Sequence, residues 1–230
     1  MRRSTPGTIG AADLVDARIL RAEAQDPARV VAVLEPLVTE ARRQRLREVI
    51  ARRLESVAVV FDRPYDPHNG AAVVRSCEAF AVQRLHVVER PGTPLAVAHS
   101  VARGAQKWID VTCHASPATV VSWAEKARLP LVATHPEGEL VPEDLTAMPR
   151  LGLVLGNERE GIHPDLAAAC SARVRVPMLG FVESLNVSVT AAILLHAATR
   201  GRPGDLSEDE RLRLYARGLY LSVPHAADLL

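Results

Sequence analysis

The sequence predicts an α/β fold, a parallel β-sheet covered by helices on both faces. Short apolar or β-branched runs alternate with segments whose apolar residues recur at helical spacing. Polar, glycine-containing stretches follow several of those runs directly, and open α/β sheets bind ligands outside the carboxyl ends of their strands. A chain of 230 residues with 48% apolar composition has enough material for one core and terminal extensions.

Residues 1–55 read as a helical extension. Helices are expected over 13–24 and 27–37, and then over Ala41-Arg-Arg-Gln-Arg-Leu-Arg-Glu-Val-Ile-Ala-Arg-Arg-Leu54. In that last segment Leu46, Val49, Ile50 and Leu54 form an apolar seam, and Arg42, Arg43, Arg45, Arg47, Arg52 and Arg53 form a guanidinium-rich face. Such a face is either solvated and salt-bridged or a phosphate contact; arginine without lysine tilts it towards phosphate, for which guanidinium offers a planar fork. Residues 56–200 read as the central domain, with strands at 57–61, 85–88, 109–112, 130–133, 151–155 and 173–176. Helices are expected at 70–80, 95–102, 118–127, 164–169 and 187–198. Gly201-Arg-Pro-Gly204 breaks the chain, and Ser207-Glu-Asp-Glu210 has capping-box spacing before a last helix over 209–221. Residues 201–230 thus form a C-terminal helical extension.

Bulk properties remove several classes. No apolar run has the length of a membrane span and the first residues lack a signal-peptide centre, so a cytoplasmic location is expected. Cys77, Cys113 and Cys170 are odd in number and widely spaced, which fits reduced, packed thiols better than a disulfide framework or a zinc site. Eight histidines show no metal-ligand spacing, and no Gly-x-Ser-x-Gly elbow occurs. Gly156-Asn-Glu-Arg-Glu-Gly161 has P-loop glycine spacing, but Ile162 and His163 stand where Lys and Ser or Thr are needed. Aromatics at 3% argue against a base-stacking sheet, while a net charge of +1 says nothing about local clusters.

Three blocks carry the functional signal. His68-Asn-Gly-Ala-Ala-Val-Val-Arg-Ser-Cys-Glu-Ala-Phe80 is a loop entering a helix, and Leu151-Gly-Leu-Val-Leu-Gly-Asn-Glu-Arg-Glu-Gly161 is a strand running into a polar loop. Val176-Pro-Met-Leu-Gly-Phe-Val-Glu-Ser-Leu-Asn-Val-Ser-Val-Thr190 places Ser184, Asn186 and Ser188 at the mouth of an apolar helix, whose first turn offers free N–H groups to a polar ligand. In this order the blocks resemble the motifs of the SpoU/TrmH branch of the SPOUT RNA methyltransferases, over about residues 56–200.

The resemblance implies a deep trefoil knot in the C-terminal part of the sheet, which no compositional argument suggests. It implies S-adenosylmethionine as cofactor, S-adenosylhomocysteine as product, and methyl transfer to a ribose 2′-hydroxyl. By the same resemblance Gly156, through its backbone, Val176, Met178, Leu185 and Thr134 hold the cofactor. Arg75 matches the arginine assigned to activating the hydroxyl; because arginine scarcely gives up its proton, a phosphate clamp that helps accept the proton is the preferred role. Asn69 positions the ribose, Glu158 orients Asn69, Arg75 or a partner loop, and Ser184 and Asn186 complete the polar cluster.

Family members are homodimers packed through the knot, with active sites that borrow residues across the interface. Within the branch the chain is most similar to members acting on the D-loop guanosine of tRNA, since Ala105-Gln-Lys-Trp-Ile-Asp110 looks like their lysine-tryptophan element. Lys107 with Arg42, Arg43, Arg45 and Arg47 are then candidate RNA contacts. Residues 1–40 depart from the short start of those members, which keeps ribosomal RNA as a rival substrate. A non-catalytic RNA- or cofactor-binding module is the alternative of a different class, and the motifs call for no metal.

Overall fold

The computed structural model describes residues 17–90 and 104–230. The helix expected over 95–102 and the beginning of the first helix lie outside the described residues.

Six parallel strands form one sheet in the order β3-β2-β1-β5-β4-β6. They are β1 Leu54–Asp62, β2 Val82–Val88, β3 Asp110–His114, β4 Leu131–Thr134, β5 Leu151–Leu155 and β6 Ala172–Val174. Strand β1 lies at the centre, paired with β2 on one side and β5 on the other. The chain builds outward through β2 and β3 and then returns across the sheet, so the topology reverses between β1 and β5. That reversal opens a crevice at the carboxyl edge.

Both faces are covered. Helices α4 Pro67–Ala79 and α7 Val187–Thr199 pack against each other on one face, where Val57, Val59, Phe61 and Leu153 meet Val73, Val74, Leu194 and Leu195. On the other face Val60, Val88, Val154 and Leu131 pack against Val120, Ala124 and Leu166 of α5 Pro117–Lys126 and α6 Pro164–Ala168. The alternation of Val59 and Phe61 with Val60 is the period-two pattern of a strand buried on both sides. Cys77 is fully buried in the first core and burial pushes its thiol up to about 12, so it packs and does not react.

Several boundaries shift from expectation, among them β1, which begins at Leu54 rather than at residue 57, and α4, which begins at Pro67 rather than at residue 70. The basic helix α3 is Glu40–Ile50 rather than 41–54: Leu54 already begins β1 by pairing with Val82. Arg53, expected on an exposed face, is 2% exposed and ion-paired to Glu78 at 3.2 Å, with burial drawing its pKa down against the pull of that carboxylate. Strand β2 begins three residues early because its polar residues are satisfied. Gln83 donates to the Trp108 carbonyl at 3.3 Å, and Arg84 pairs with Glu55 and Glu210.

The end segments share one hydrophobic core. Helices α1 Ala17–Glu23, α2 Pro27–Leu34 and α3 contribute Ala22, Val30, Leu34, Leu46 and Ile50, while α8 Glu208–Ser222 contributes Leu214, Tyr215, Leu219 and Tyr220. Ser207 caps α8 by accepting from the Glu210 N–H, although the Glu210 carboxylate turns to Arg84 instead of closing a capping box. Asp205 reaches back to accept the Glu55 N–H at 2.5 Å, and at Gly204 an added Cβ would stand 1.9 Å from the Ala51 carbonyl oxygen. Gly204→Ala is therefore expected to cost about 2–3 kcal/mol in equilibrium unfolding, through forced separation of two backbones.

A charged staple joins this layer to the sheet edge. Asp110 of β3 accepts from Arg213 at 2.7 Å and from Arg217 at 2.5 Å, and both arginines also pair with Glu23 of α1. Burial raises the Asp110 pKa, but Arg217 and Arg213 outweigh it and hold it at about 2, below the ordinary 3.8. Its stabilising contribution is complete above the ordinary value and is lost as pH falls through about 2. Acid titration followed by Trp108 fluorescence should show the helical layer loosening in that window. Asp110→Asn should remove the step and cost about 3 kcal/mol at neutral pH.

Candidate active site

The carboxyl ends of β4, β5 and β6 meet around a cavity of about 430 Å³. Its walls come from three loops, each held by its own chemistry. After β5, Asn157 accepts the N–H groups of Arg159 at 2.9 Å and Glu160 at 2.7 Å, and Asn157 and Gly161 exchange backbone hydrogen bonds at 3.1 and 3.2 Å. Gly161 takes φ +69°, a left-handed conformation that favours glycine, and the buried Asp62 anchors the far side of the loop by accepting the His163 N–H at 2.6 Å. After β4, Gly138 passes so close to β6 that a Cβ would lie 2.6 Å from the Val174 carbonyl carbon. After β6, Arg175 is fixed by its N–H to the Leu140 carbonyl at 2.9 Å, and the chain then runs to α7.

The expected cofactor residues Thr134, Gly156, Val176, Met178 and Leu185 all line this cavity, as do Glu158, Ser184 and Asn186. Asn186 caps α7: its side-chain oxygen accepts the Ser188 N–H at 2.8 Å and the Ser188 hydroxyl at 2.6 Å. Its amide donates to Asn69 Oδ1 at 3.0 Å, and Asn69 in turn donates to Glu158 Oε1. This one chain of hydrogen bonds ties the three sequence blocks together. An ionised acceptor at its end strengthens and orients it. Of the alternatives for Glu158, the structure realises the bond to Asn69; Ser184 lines the cavity without joining the chain among the described residues.

Arg75 stands elsewhere. It is exposed on α4 and lines a separate cavity of about 530 Å³ with Ser76, Phe80, Gly104, Ala105 and Trp108. Within one chain the arginine and the cofactor residues thus belong to different concavities. Lys107, in the short 3₁₀ turn Ala105–Lys107, lines neither.

The arginines of α3 are largely engaged within the chain. Arg42 donates to Ser222 Oγ at 3.1 Å and lies over Trp108, Arg43 pairs with Glu40 at 2.6 Å, and Arg47 pairs with Glu35 while lying 5.1 Å from the Tyr215 ring. Arg45 has a looser 4.0 Å contact with Glu48 and is well exposed. Of the acids that hold them, Glu40 and Glu48 are visible in the sequence at helical spacing, whereas Glu35 reaches Arg47 from the turn before the helix.

Sequence reasoning missed Asn157, Ile162, Arg175 and Glu183, which also line the cavity. Asn157 and Glu183 sit inside the segments 151–161 and 176–190 and Arg175 immediately before the second, so position was a usable signal. The cavity's chemistry suits S-adenosylmethionine: apolar Ile162, Val176, Met178 and Leu185 for a flat base, and Arg175 and Glu183 for a zwitterionic end. The buried Nδ2 of Asn157, without a hydrogen-bond partner, is a spare donor. At Gly156 a Cβ would meet the backbone of Gly161 at 2.6 Å, so only glycine keeps this wall in place. No group of three or more His, Cys, Asp or Glu among the described residues is arranged to hold a metal.

Comparison with known proteins agrees with this geometry. Residues 56–196 match the model of the SpoU rRNA Methylase family. A tRNA (guanosine(18)-2′-O)-methyltransferase of Aquifex aeolicus is 30% identical over 199 residues, covering 83% of this chain and 94% of that protein. The crystal structure of the A. aeolicus TrmH/SpoU tRNA modifying enzyme superposes with a TM-score of 0.71 at 29% identity, covering 80% of this chain and 98% of that one. The SpoU methyltransferase AviRb from Streptomyces viridochromogenes, in complex with the cofactor AdoMet, gives a TM-score of 0.55 at 26% identity over 66% of this chain and 60% of that one. With motifs, sheet order and site joined over the same residues, the chain belongs to the SpoU RNA methylase family.

Proposed function

We propose that this protein transfers a methyl group from S-adenosylmethionine to a ribose 2′-hydroxyl of tRNA, at the D-loop guanosine. The observation that carries the reading is the single cavity in which the expected cofactor residues meet the Asn69–Glu158–Asn186 chain. The relative that is 30% identical over most of both chains is a guanosine-18 tRNA 2′-O-methyltransferase, which favours tRNA over ribosomal RNA.

When bound, the cofactor would supply an electrophilic sulfonium methyl. The protein's part is alignment and polarisation of a weak nucleophile. Asn69, fixed from both sides by Glu158 and Asn186, holds the ribose. Arg75 clamps the nucleotide phosphate, which helps accept the hydroxyl proton. Because Arg75 lies outside its own chain's cavity, the complete site needs Arg75 from a second copy. The exposed apolar residues Leu179, Phe181, Val182 and Val189, on the loop before α7 and on α7 itself, supply a surface for that homodimer. The family resemblance further implies a deep trefoil knot in the C-terminal part of the sheet, where the loops after β5 and β6 lie. The shared helical layer, residues 17–50 with 206–226, flanks the domain as an RNA-positioning element, with Arg45 as its candidate contact and Lys107 as a candidate contact from the turn before β3.

Incubation with radiolabelled S-adenosylmethionine and unmodified tRNA or ribosomal RNA, followed by nuclease mapping, tests the proposal. Label on the D-loop guanosine ribose is expected. Label on ribosomal RNA would move the substrate, and no label on either would leave a binding module.

A further inference from the structure

We propose that Tyr65, Arg90 and Arg159 form a clamp for an RNA backbone phosphate next to the candidate active site. The guanidinium of Arg90 lies 3.7 Å from the Tyr65 ring centroid and that of Arg159 lies 4.4 Å from it. The three residues come from separate parts of the chain. Tyr65 is in the turn between β1 and α4, Arg90 follows β2, and Arg159 is in the loop after β5. Since β2, β1 and β5 are neighbours in the sheet, all three converge on one stretch of its carboxyl edge.

Two cations drawn to a single ring repel each other, and a ring quadrupole offsets only part of that. Among the described residues neither guanidinium has a carboxylate partner. Nearby Arg63 shows the contrast, with Asp62 at 3.2 Å and Glu160 at 3.0 Å. Arg159 is also set in place before any ligand arrives, because its N–H is held by Asn157 and the next residue is held by Arg63. An uncompensated pair of planar forks on a fixed platform is suited to phosphate oxygens. Placement selects RNA as their source: Tyr65 lies in the turn that leads into the helix carrying Asn69 and Arg159 adjoins Glu158, so phosphates flanking a nucleotide held at Asn69 reach this edge.

The inference rests on the RNA methyl-transfer reading, and its test separates the two. tRNA binding by the full chain is titrated against KCl for wild type, Arg90→Gln, Arg159→Gln, the double variant and Tyr65→Leu. Each lost phosphate contact should reduce the slope of log K against log salt by about 1. The double variant should raise KM for tRNA about tenfold, with kcat affected less. Tyr65→Leu keeps both charges and should weaken binding with the slope retained. Cofactor affinity, measured by calorimetry, should stay at the wild-type value and reports an intact fold. A wild-type slope and KM in the double variant would overturn the clamp, as would a parallel loss of cofactor affinity. Absence of methyl transfer by the wild type would sink the proposed function instead, while the salt titration still decides the clamp.

Discussion

Arg75→Ala should reduce methyl transfer by about a hundred- to ten-thousand-fold, the usual range for removing a group that assists proton transfer. Cofactor binding should stay close to wild type, because Arg75 and the cofactor residues line different cavities in one chain. Calorimetry with S-adenosylmethionine checks this directly, and a collapse in affinity would make Arg75 part of the cofactor wall. The two-cavity geometry also yields a complementation test. In a mixed dimer of Arg75→Ala and Gly156→Val chains, a site assembled across the interface pairs an intact cavity from the first with an intact arginine from the second. Each such mixed dimer should show about half the wild-type activity, since one of its two sites is then intact. If the site were complete within each chain, both sites would carry a lesion and the mixture would remain inactive.

Gly156→Ala should remove most cofactor affinity with a smaller effect on global stability. The new methyl would sit 2.6 Å from the Gly161 carbonyl carbon and 2.8 Å from the Ile162 nitrogen, both backbone atoms that no rotamer change can move. Relief requires opening the Asn157–Gly161 bridge, which displaces Glu158 and the Asn157 side chain together. Overpacking of about 2–3 kcal/mol corresponds to a loss of roughly a hundredfold in affinity. Titration calorimetry and thermal unfolding separate the outcomes. Retained affinity would mean that the loop after β5 is not a wall of the cofactor site.

The cavity was legible because its residues belong to contiguous blocks, each leaving the end of a strand. Gly156, Val176, Met178, Leu185 and Asn186 are carried over by the family resemblance of those blocks, strand placement brings them to one edge, and Thr134 closes the strand beside them. What escaped the sequence depends on distant partners. Leu46 and Leu219 share a core across most of the chain, and no local periodicity reports such pairing. Arg53 looked like part of an exposed basic face until Glu78 and burial claimed it. The start of β2 was hidden by Gln83 and Arg84, polar residues tolerated there because Trp108, Glu55 and Glu210 satisfy them. Arg75 is assigned through its match to the family's motif, yet such a match does not tell which cavity an exposed side chain serves.

The helical layer also constrains the order in which the protein can be made. Residues 17–50 bury their apolar faces largely against α8, and Glu23 is secured by Arg213 and Arg217 of that same helix. During synthesis those helices emerge before the sheet, whereas their partner α8 emerges only after it. Until then Val30, Leu34 and Leu46 present unprotected hydrophobic surface, the condition under which nascent chains aggregate or recruit chaperones. Emergence of α8 is thus the event that closes this layer, fastening helices that precede and follow the sheet in sequence over the edge of β3 in one step.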